Sequence, residues 1–318
     1  MNTIDLAQVR SAAARIAAHA RVTPVLRNDT LDARAGAQLF FKCEHLQRGG
    51  AFKFRGACNA VWSLSNEEAA RGVVTHSSGN HGAALALAAK TRGIPAHIVV
   101  PEGAVAAKLA NIERAGGRIH LCAATLAARE ETCARVQRDT GATLVHPYAD
   151  AWVIAGQGTL ALELLQQVPD LDALIAPVGG GGLVSGCAIV LRALAPAADI
   201  IGAEPAGADD ALQSLQRGER VTDIVPDTLC DGLRATIGAP NFELLREHRV
   251  GIIAIDDAAT LAAMRLLWAE LKQTVEPSSA VVLAALLAQP ERFAGKRVGL
   301  VLTGGNVDLD ARPAFAQA

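Results

Sequence analysis

The sequence predicts an α/β protein built on two open, mostly parallel twisted sheets flanked by helices. Three observations carry that prediction. Short apolar, β-branched runs alternate with longer Ala/Leu-rich stretches at helical period, the order that lays parallel strands side by side with helices over them. Several runs, residues 173–178 among them, are apolar throughout, as strands covered on both faces must be. Glycines follow soon after three of the runs, at Gly79, Gly179 and Gly304, where the carboxyl ends of such strands meet ligands.

In chain order, residues 39–43 (Leu-Phe-Phe-Lys-Cys) make the first strand, and residues 54–64 after it hold helical spacing. Strands at 72–75, 96–100, 118–122 and 143–145 follow, with helices at 82–92 and 123–140. Strands at 173–178, 200–204, 251–255 and 298–303 complete the set, with helices at 184–194 and 258–272. No repeat, low-complexity tract or long linker marks a boundary. The compact four-strand unit at 72–145 predicts a small domain, residues 66–148, inserted into a large domain formed by residues 1–65 and 149–318. Two domains suit 318 residues at ~150 residues each.

Composition removes several function classes. With 51% hydrophobic and 19% charged residues, the chain can bury a core and is not a disordered tail. A formal charge of −2, without a basic stretch, gives no footprint for nucleic acid or a lipid surface. The longest uncharged stretch, residues 173–191, is broken by Pro177 and four consecutive glycines, so it is no membrane span. The start, Met1-Asn2-Thr3-Ile4-Asp5, has no secretory pattern. Cys43, Cys58, Cys122, Cys133, Cys187 and Cys230 form no C-x-x-C pair, so free, buried thiols in a reducing cytoplasm are expected. Only six lysines occur (Lys42, Lys53, Lys90, Lys108, Lys272, Lys296), which leaves few candidates for amine chemistry.

Five segments carry chemistry. In Ala51-Phe52-Lys53-Phe54-Arg55-Gly56-Ala57, an amine sits between two aromatic rings at a helix start, a setting that lowers its preference for the proton. A Schiff-base lysine needs that; a lysine whose stem lies along the rings with its amine in water is the competing reading. Thr75-His76-Ser77-Ser78-Gly79-Asn80-His81-Gly82 opens a helix with more hydrogen-bonding groups than a cap needs, suiting a carboxylate rather than a simple N-cap. Gly179-Gly180-Gly181-Gly182-Leu183 follows a strand and opens a helix, as a phosphate cradle does. It fits neither G-x-G-x-x-G nor the Walker pattern. Thr303-Gly304-Gly305-Asn306 puts a hydroxyl at a strand end, where a plain turn is an equal reading. Glu204, Asp209 and Asp210 could hold a hard divalent cation, against a solvated loop with an N-cap at Asp209. An amine, a phosphate cradle and a carboxylate loop together suit pyridoxal phosphate (PLP) acting on amino acids.

Over nearly its whole length the chain resembles the fold-type II PLP enzymes, the tryptophan synthase β superfamily, and within them the serine/threonine dehydratase and serine racemase group. The matching blocks are Lys42-Cys43-Glu44-His45-Leu46-Gln47 with the Lys53 segment, the Ser77 to Gly82 loop, the glycine loop at Gly179 and the Thr303 block. The resemblance implies that Lys53 is the Schiff-base lysine and moves the Cα proton. It implies that Gly179, Gly180, Gly181 and Gly182 bind the phosphate with Leu183 closing the loop, that Asn80 holds the ring 3′ oxygen, that Phe52 packs on the ring and that Thr303 meets the ring nitrogen. Ser77, Ser78, Gly79 and His81 would hold the substrate carboxylate. Glu204, the carbonyl of Ala208 and Asp210 match a Mg²⁺ or Mn²⁺ site, and a homodimer is the family's habit.

The activity implied is loss of a β-hydroxyl from an amino acid, threonine, serine or 3-hydroxyaspartate in type, giving a 2-oxo acid and ammonia. Two alternatives stand beside this ammonia-lyase: a serine racemase with dehydratase side activity, for which Ser78 would return the proton from the opposite face, and a non-catalytic PLP- or cation-binding protein. His45, Gly49-Gly50 and Val275-Glu276-Pro277-Ser278-Ser279-Ala280 depart from the serine racemase pattern and leave the β-hydroxy amino acid undefined.

Overall fold

The computed structural model describes residues 4–307. Its strands are β1 (Val25–Leu26), β2 (Gln38–Lys42), β3 (Val73–His76), β4 (Ala96–Pro101), β5 (Arg118–Cys122), β6 (Thr143–Leu144), β7 (Ala173–Pro177), β8 (Asp199–Pro205), β9 (Gly251–Ile255) and β10 (Arg297–Val301). They form a six-stranded sheet in the order β1-β2-β10-β7-β8-β9 and a four-stranded sheet in the order β5-β4-β3-β6. Every pairing is parallel except β1 with β2. The two residues of β1 carry no periodic signal, and the sequence did not predict that strand.

Helices cover both faces of the larger sheet. On one face, Val9, Ile154, Leu160, Val184 and Cys187 build a core from helices Leu6–Ile16, Ala151–Gln167 and Gly182–Leu194. On the other, Phe41, Leu267, Val282, Leu283 and Leu300 bring in helices Asp257–Ala269 and Pro277–Ala288. The helix Pro277–Ala288 was not predicted. It is buried from Ser278 through Leu286, so it lacks the polar face that gives an amphipathic helix its period.

The sequence places residues 54–64 in the larger unit, but helix Lys53–Ser63 packs Phe54, Ala57 and Val61 against Val73, Leu85 and Ile98 of the four-stranded unit. It therefore links both sheets. The predicted strand at 298–303 ends at Val301, because the next residues leave the ladder for the 43–52 segment. His45 N donates to Leu302 O at 2.8 Å, Phe52 N donates to Thr303 O at 2.9 Å, and Ala51 bridges Gly304. That departure binds the end of β10 to the lysine segment.

Candidate functional site

Lys53 is the first residue of its helix, with Phe52 in the N-cap position. Its Nζ donates to Pro147 O at 3.0 Å and lies 5.1 Å from the centre of the Phe52 ring. Burial lowers the amine to about 8, against a smaller upward pull from the Glu276 carboxylate. The residue as a whole keeps some exposed surface. The reading in which the amine lies in water does not hold.

A buried ionic frame fixes this segment. Arg55 bonds Glu44 through Nε and Nη2 at 2.7 and 2.8 Å, and Glu163 through Nη1 and Nη2 at 2.7 and 2.8 Å. Lys42 Nζ reaches Glu163 at 2.8 Å. Of the block quoted from the sequence, Lys42, Glu44 and Arg55 are therefore scaffold, while Lys53 turns the other way, to Pro147.

At the end of β3, helix Asn80–Arg92 starts with Gly79 as N-cap and no side-chain cap bond. Neither Ser78 nor Asn80 is spent as a cap, and the first-turn N–H groups stay free for an anion. The Ser77 hydroxyl accepts from Gly79 N at 3.4 Å. A Cβ on Gly82 would come within 2.1 Å of Ser77 O, so glycine is required for this tight turn. The His81 side chain is buried and its Nε2 faces Val145 O at 3.3 Å. Burial and the nearby Lys53 hold it well below its ordinary value. This neutral ring is no cation for a carboxylate, so the group His81 offers there is its backbone N–H.

The glycine loop runs from β7 into helix Gly182–Leu194, whose first helical bond is Ser185 N to Gly181 O at 3.0 Å. The N–H groups of Gly182, Leu183 and Val184 thus precede the helical ladder. The loop has no space for side chains: a Cβ on Gly179 would approach Leu233 Cα at 2.9 Å, on Gly180 the Tyr148 ring at 2.3 Å, on Gly181 Ile237 at 2.3 Å, and on Gly182 Tyr148 O at 2.8 Å. Asn241 Nδ2 holds Gly180 O at 2.5 Å and Tyr148 O at 3.0 Å. Leu183 lies inside the helix with its side chain in the core, so it contributes to this loop through its N–H.

Thr303 is buried, its Oγ1 3.0 Å from Ser279 Oγ, which also bonds both backbone groups of Gly304. Asn80 joins this region: its Nδ2 donates to both Glu276 oxygens at 2.9 and 3.1 Å, and its Oδ1 accepts from Asn306 Nδ2 at 2.8 Å. Asn80 thus joins the serine loop to the Thr303 segment, Phe52 N on Thr303 O joins the lysine segment to it, and the adjacent Pro147 and Tyr148 meet Lys53 and the glycine loop. The residues fit pyridoxal phosphate: a desolvated amine, a side-chain-free cradle at a helix N-terminus, and a buried hydroxyl at a strand end.

Glu204 and Asp210 also come together, though differently from expectation. Glu204 accepts from Ala211 N and Leu212 N, each at 3.0 Å, and Asp210 Oδ2 accepts from Ile237 N at 2.7 Å. The helix Asp210–Arg217 takes its cap from Glu204, whereas Asp209 accepts from the Gln213 side chain instead. The N-cap expected at Asp209 is thus supplied from a neighbouring strand. Burial, with the Asp210 charge added, raises Glu204 to about 8, and burial raises Asp210 to about 6. Among the described residues no three His, Cys, Asp or Glu side chains form a metal-holding group. A cation here would complete its shell with carbonyls such as that of Ala208 and with water.

Sequence reasoning missed Tyr148 and Asn241 as parts of the site, and it marked Glu276 and Ser279 only as members of the 275–280 segment that departs from the serine racemase pattern. For Tyr148 the one signal available was that it is the chain's only tyrosine.

Residues 16–304 match the family described as pyridoxal-phosphate dependent enzyme. A serine racemase of Arabidopsis thaliana is 48% identical over 310 residues, spanning 96% of this chain and 94% of that protein. A beta-hydroxyaspartate dehydratase of Paracoccus denitrificans (strain Pd 1222) is 50% identical over 299 residues, spanning 94% and 95%. The structure of maize serine racemase superposes with a TM-score of 0.94 at 45% identity, over 97% of this chain and 95% of that one.

Proposed function

The chain belongs to the pyridoxal-phosphate-dependent enzymes, and from that premise we propose that it is an ammonia-lyase. It takes a β-hydroxy amino acid of the threonine, serine or 3-hydroxyaspartate type to a 2-oxo acid and ammonia. The observation that carries this reading is the Lys53 amine, held at a helix start against Pro147 O at 3.0 Å beside the Phe52 ring and lowered by burial to about 8. An amine with that value is neutral in a useful fraction near pH 7 to 8 and serves as a general base.

Pyridoxal phosphate, when bound, supplies an electron sink for the bond broken at Cα. Lys53 would hold its carbonyl carbon and take the Cα proton. The N–H groups of residues 179–183 would bind its phosphate, Asn80 its 3′ oxygen, Phe52 its ring face and Thr303 its ring nitrogen. Ser77, Ser78, Gly79 and the His81 N–H would hold the substrate carboxylate. Thr303 would offer the ring nitrogen a neutral hydroxyl rather than a carboxylate. A Mg²⁺ or Mn²⁺ at Glu204, Ala208 O and Asp210 would neutralise two desolvated carboxylates. The likeness to a beta-hydroxyaspartate dehydratase supports the lyase reading.

Racemisation of serine is the second reading. It is favoured by the likeness to serine racemases and by Ser78, whose hydroxyl makes no hydrogen bond among the described residues, in a loop that a proton donor for the opposite face would occupy. Free, buried thiols support a cytoplasmic setting, and no helix among the described residues is long and apolar enough to cross a membrane.

The test is a panel of L- and D-threonine, serine and 3-hydroxyaspartate, assayed for 2-oxo acid, ammonia and the opposite enantiomer. Release of 2-oxo acid supports the lyase. Inversion without 2-oxo acid replaces it with the racemase, and PLP uptake without turnover of any member leaves a binding protein.

A further inference from the structure

We propose that Glu276 is a positioning residue for the cofactor ring, acting through the amide of Asn80. The inference rests on the reading of Asn80 as the partner of the ring's 3′ oxygen. A side-chain amide has two N–H donors at one end and an acceptor at the other, and its two ends are nearly the same shape. Nothing in Asn80 itself decides which end faces the cofactor.

Its neighbours do. Glu276 accepts from Asn80 Nδ2 with both oxygens, at 2.9 and 3.1 Å, while Asn306 Nδ2 donates to Asn80 Oδ1 at 2.8 Å. Both acceptors belong to one carboxylate, so a single N–H bifurcated between them makes both contacts and leaves the second Asn80 N–H for the cofactor. Turned over, the amide would set its carbonyl against the Glu276 carboxylate and its amine against the Asn306 amine, acceptor on acceptor and donor on donor. At the buried Glu276 end that mismatch leaves polar groups unsatisfied, while the exposed Asn306 end adds a smaller preference. The pair of neighbours therefore holds an N–H, the only kind of group that can recognise a ring oxygen, on the cofactor side.

Glu276 is placed for this work. It precedes helix Pro277–Ala288, yet its carboxylate makes no cap bond to that helix. Its backbone N donates to Gly304 O at 3.0 Å, and a Cβ on Gly304 would lie 2.5 Å from Glu276 Oε1, so the carboxylate is closely packed. It is 6% exposed. The charges acting on it are those of Asp231 and Lys108, and it acts in turn on Lys53.

The experiment is a double-mutant cycle read by cofactor binding. Wild type, Asn80→Ala, Glu276→Ala, Glu276→Gln and the Asn80→Ala/Glu276→Ala pair are stripped of cofactor and titrated with pyridoxal phosphate, following the visible absorbance band and the dissociation constant. Glu276→Ala should weaken binding about tenfold in the wild-type background, the worth of one charge-assisted hydrogen bond, and less than about twofold once Asn80 is alanine. Glu276→Gln, which keeps an acceptor oxygen, should stay within about threefold of wild type. The absorbance band of Glu276→Ala should move as that of Asn80→Ala does.

Equal losses in both backgrounds, or no loss at all, overturn the inference. If Glu276→Ala does not fold, Asn306→Ala, at the exposed end of the same amide, takes its place in the cycle under the same criteria. Wild type that takes up no pyridoxal phosphate overturns this inference and the functional reading together. Wild type that loads and turns over substrate, with additive losses, overturns this inference alone.

Discussion

Arg55 lies fork to fork on Glu44, Nε on Oε2 at 2.7 Å and Nη2 on Oε1 at 2.8 Å, with both side chains out of water. Two parallel N–H···O bonds fix angle as well as distance. Glu44 stands at the end of β2 and Arg55 in the first turn of helix Lys53–Ser63, so the pair sets where that helix begins, and with it Lys53.

Breaking this pair from one side should unfold the protein before it alters chemistry. Arg55→Leu leaves Glu44 a buried carboxylate without its cation, while Glu163 keeps only Lys42, a loss of about 3–5 kcal/mol. Denaturant titration of the cofactor-free protein checks it. A loss below about 1 kcal/mol would mean that the frame is not a structural requirement.

Lys53→Ala should remove borohydride-reducible attachment of pyridoxal phosphate while leaving the fold intact, because among the described residues the amine bonds Pro147 O alone. Mass spectrometry after reduction reads this directly. An adduct that survived in Lys53→Ala would move the attachment to another lysine.

The pH dependence follows from the amine's shift. Lys53 sits at about 8 in the fold against 10.5 ordinarily. Between those values the unfolded chain holds a proton that the folded chain has released. The group's contribution to stability is therefore unfavourable below about 8 and is relieved as pH rises towards 10.5. Over the same rise the neutral amine accumulates, so capture of pyridoxal phosphate by the cofactor-free protein should accelerate through a midpoint near 8. A stopped-flow pH profile with its midpoint above 10 would show an ordinary solvated lysine.

Gly181→Ala should be far more damaging than alanine at an ordinary loop glycine. Gly181 has φ +86°, and its added methyl would meet Ile237 at 2.3 Å. Strain and overlap together should lower stability by about 2–4 kcal/mol and loosen phosphate binding. Thermal melting with and without inorganic phosphate measures both effects.

Chelation tests the carboxylate pair. Glu204 and Asp210 repel each other in a dry setting, so a divalent cation bound there should raise the melting temperature, and a chelator should lower it until Mg²⁺ or Mn²⁺ is returned. Melting that ignores both chelator and cation would remove the proposed site.

The parts legible in the sequence were those whose chemistry is local. Lys53 between two rings, and four glycines between a strand and a helix, announce their environment within a few residues. The role of Glu204 in capping helix Asp210–Arg217 was not legible, since the cap comes from a strand rather than from the preceding Asp209. Tyr148 against Gly180, and Glu276 on Asn80, are contacts between segments far apart in sequence. The helix Pro277–Ala288 was hidden for the opposite reason: its residues are so uniformly enclosed that no face distinguishes itself.

All six cysteines are free and buried. Burial pushes Cys43, Cys58 and Cys230 to about 12, Cys133 to about 11, and Cys122 and Cys187 upward as well. Thiols held protonated and out of solvent are poor nucleophiles until the chain around them opens. Each is therefore a clock for its own neighbourhood. Alkylation of Cys122 and Cys133 times the opening of the four-stranded sheet, and alkylation of Cys187 times that of the six-stranded core. The ratio of those rates reads, in the native protein, which half of the molecule breathes more often.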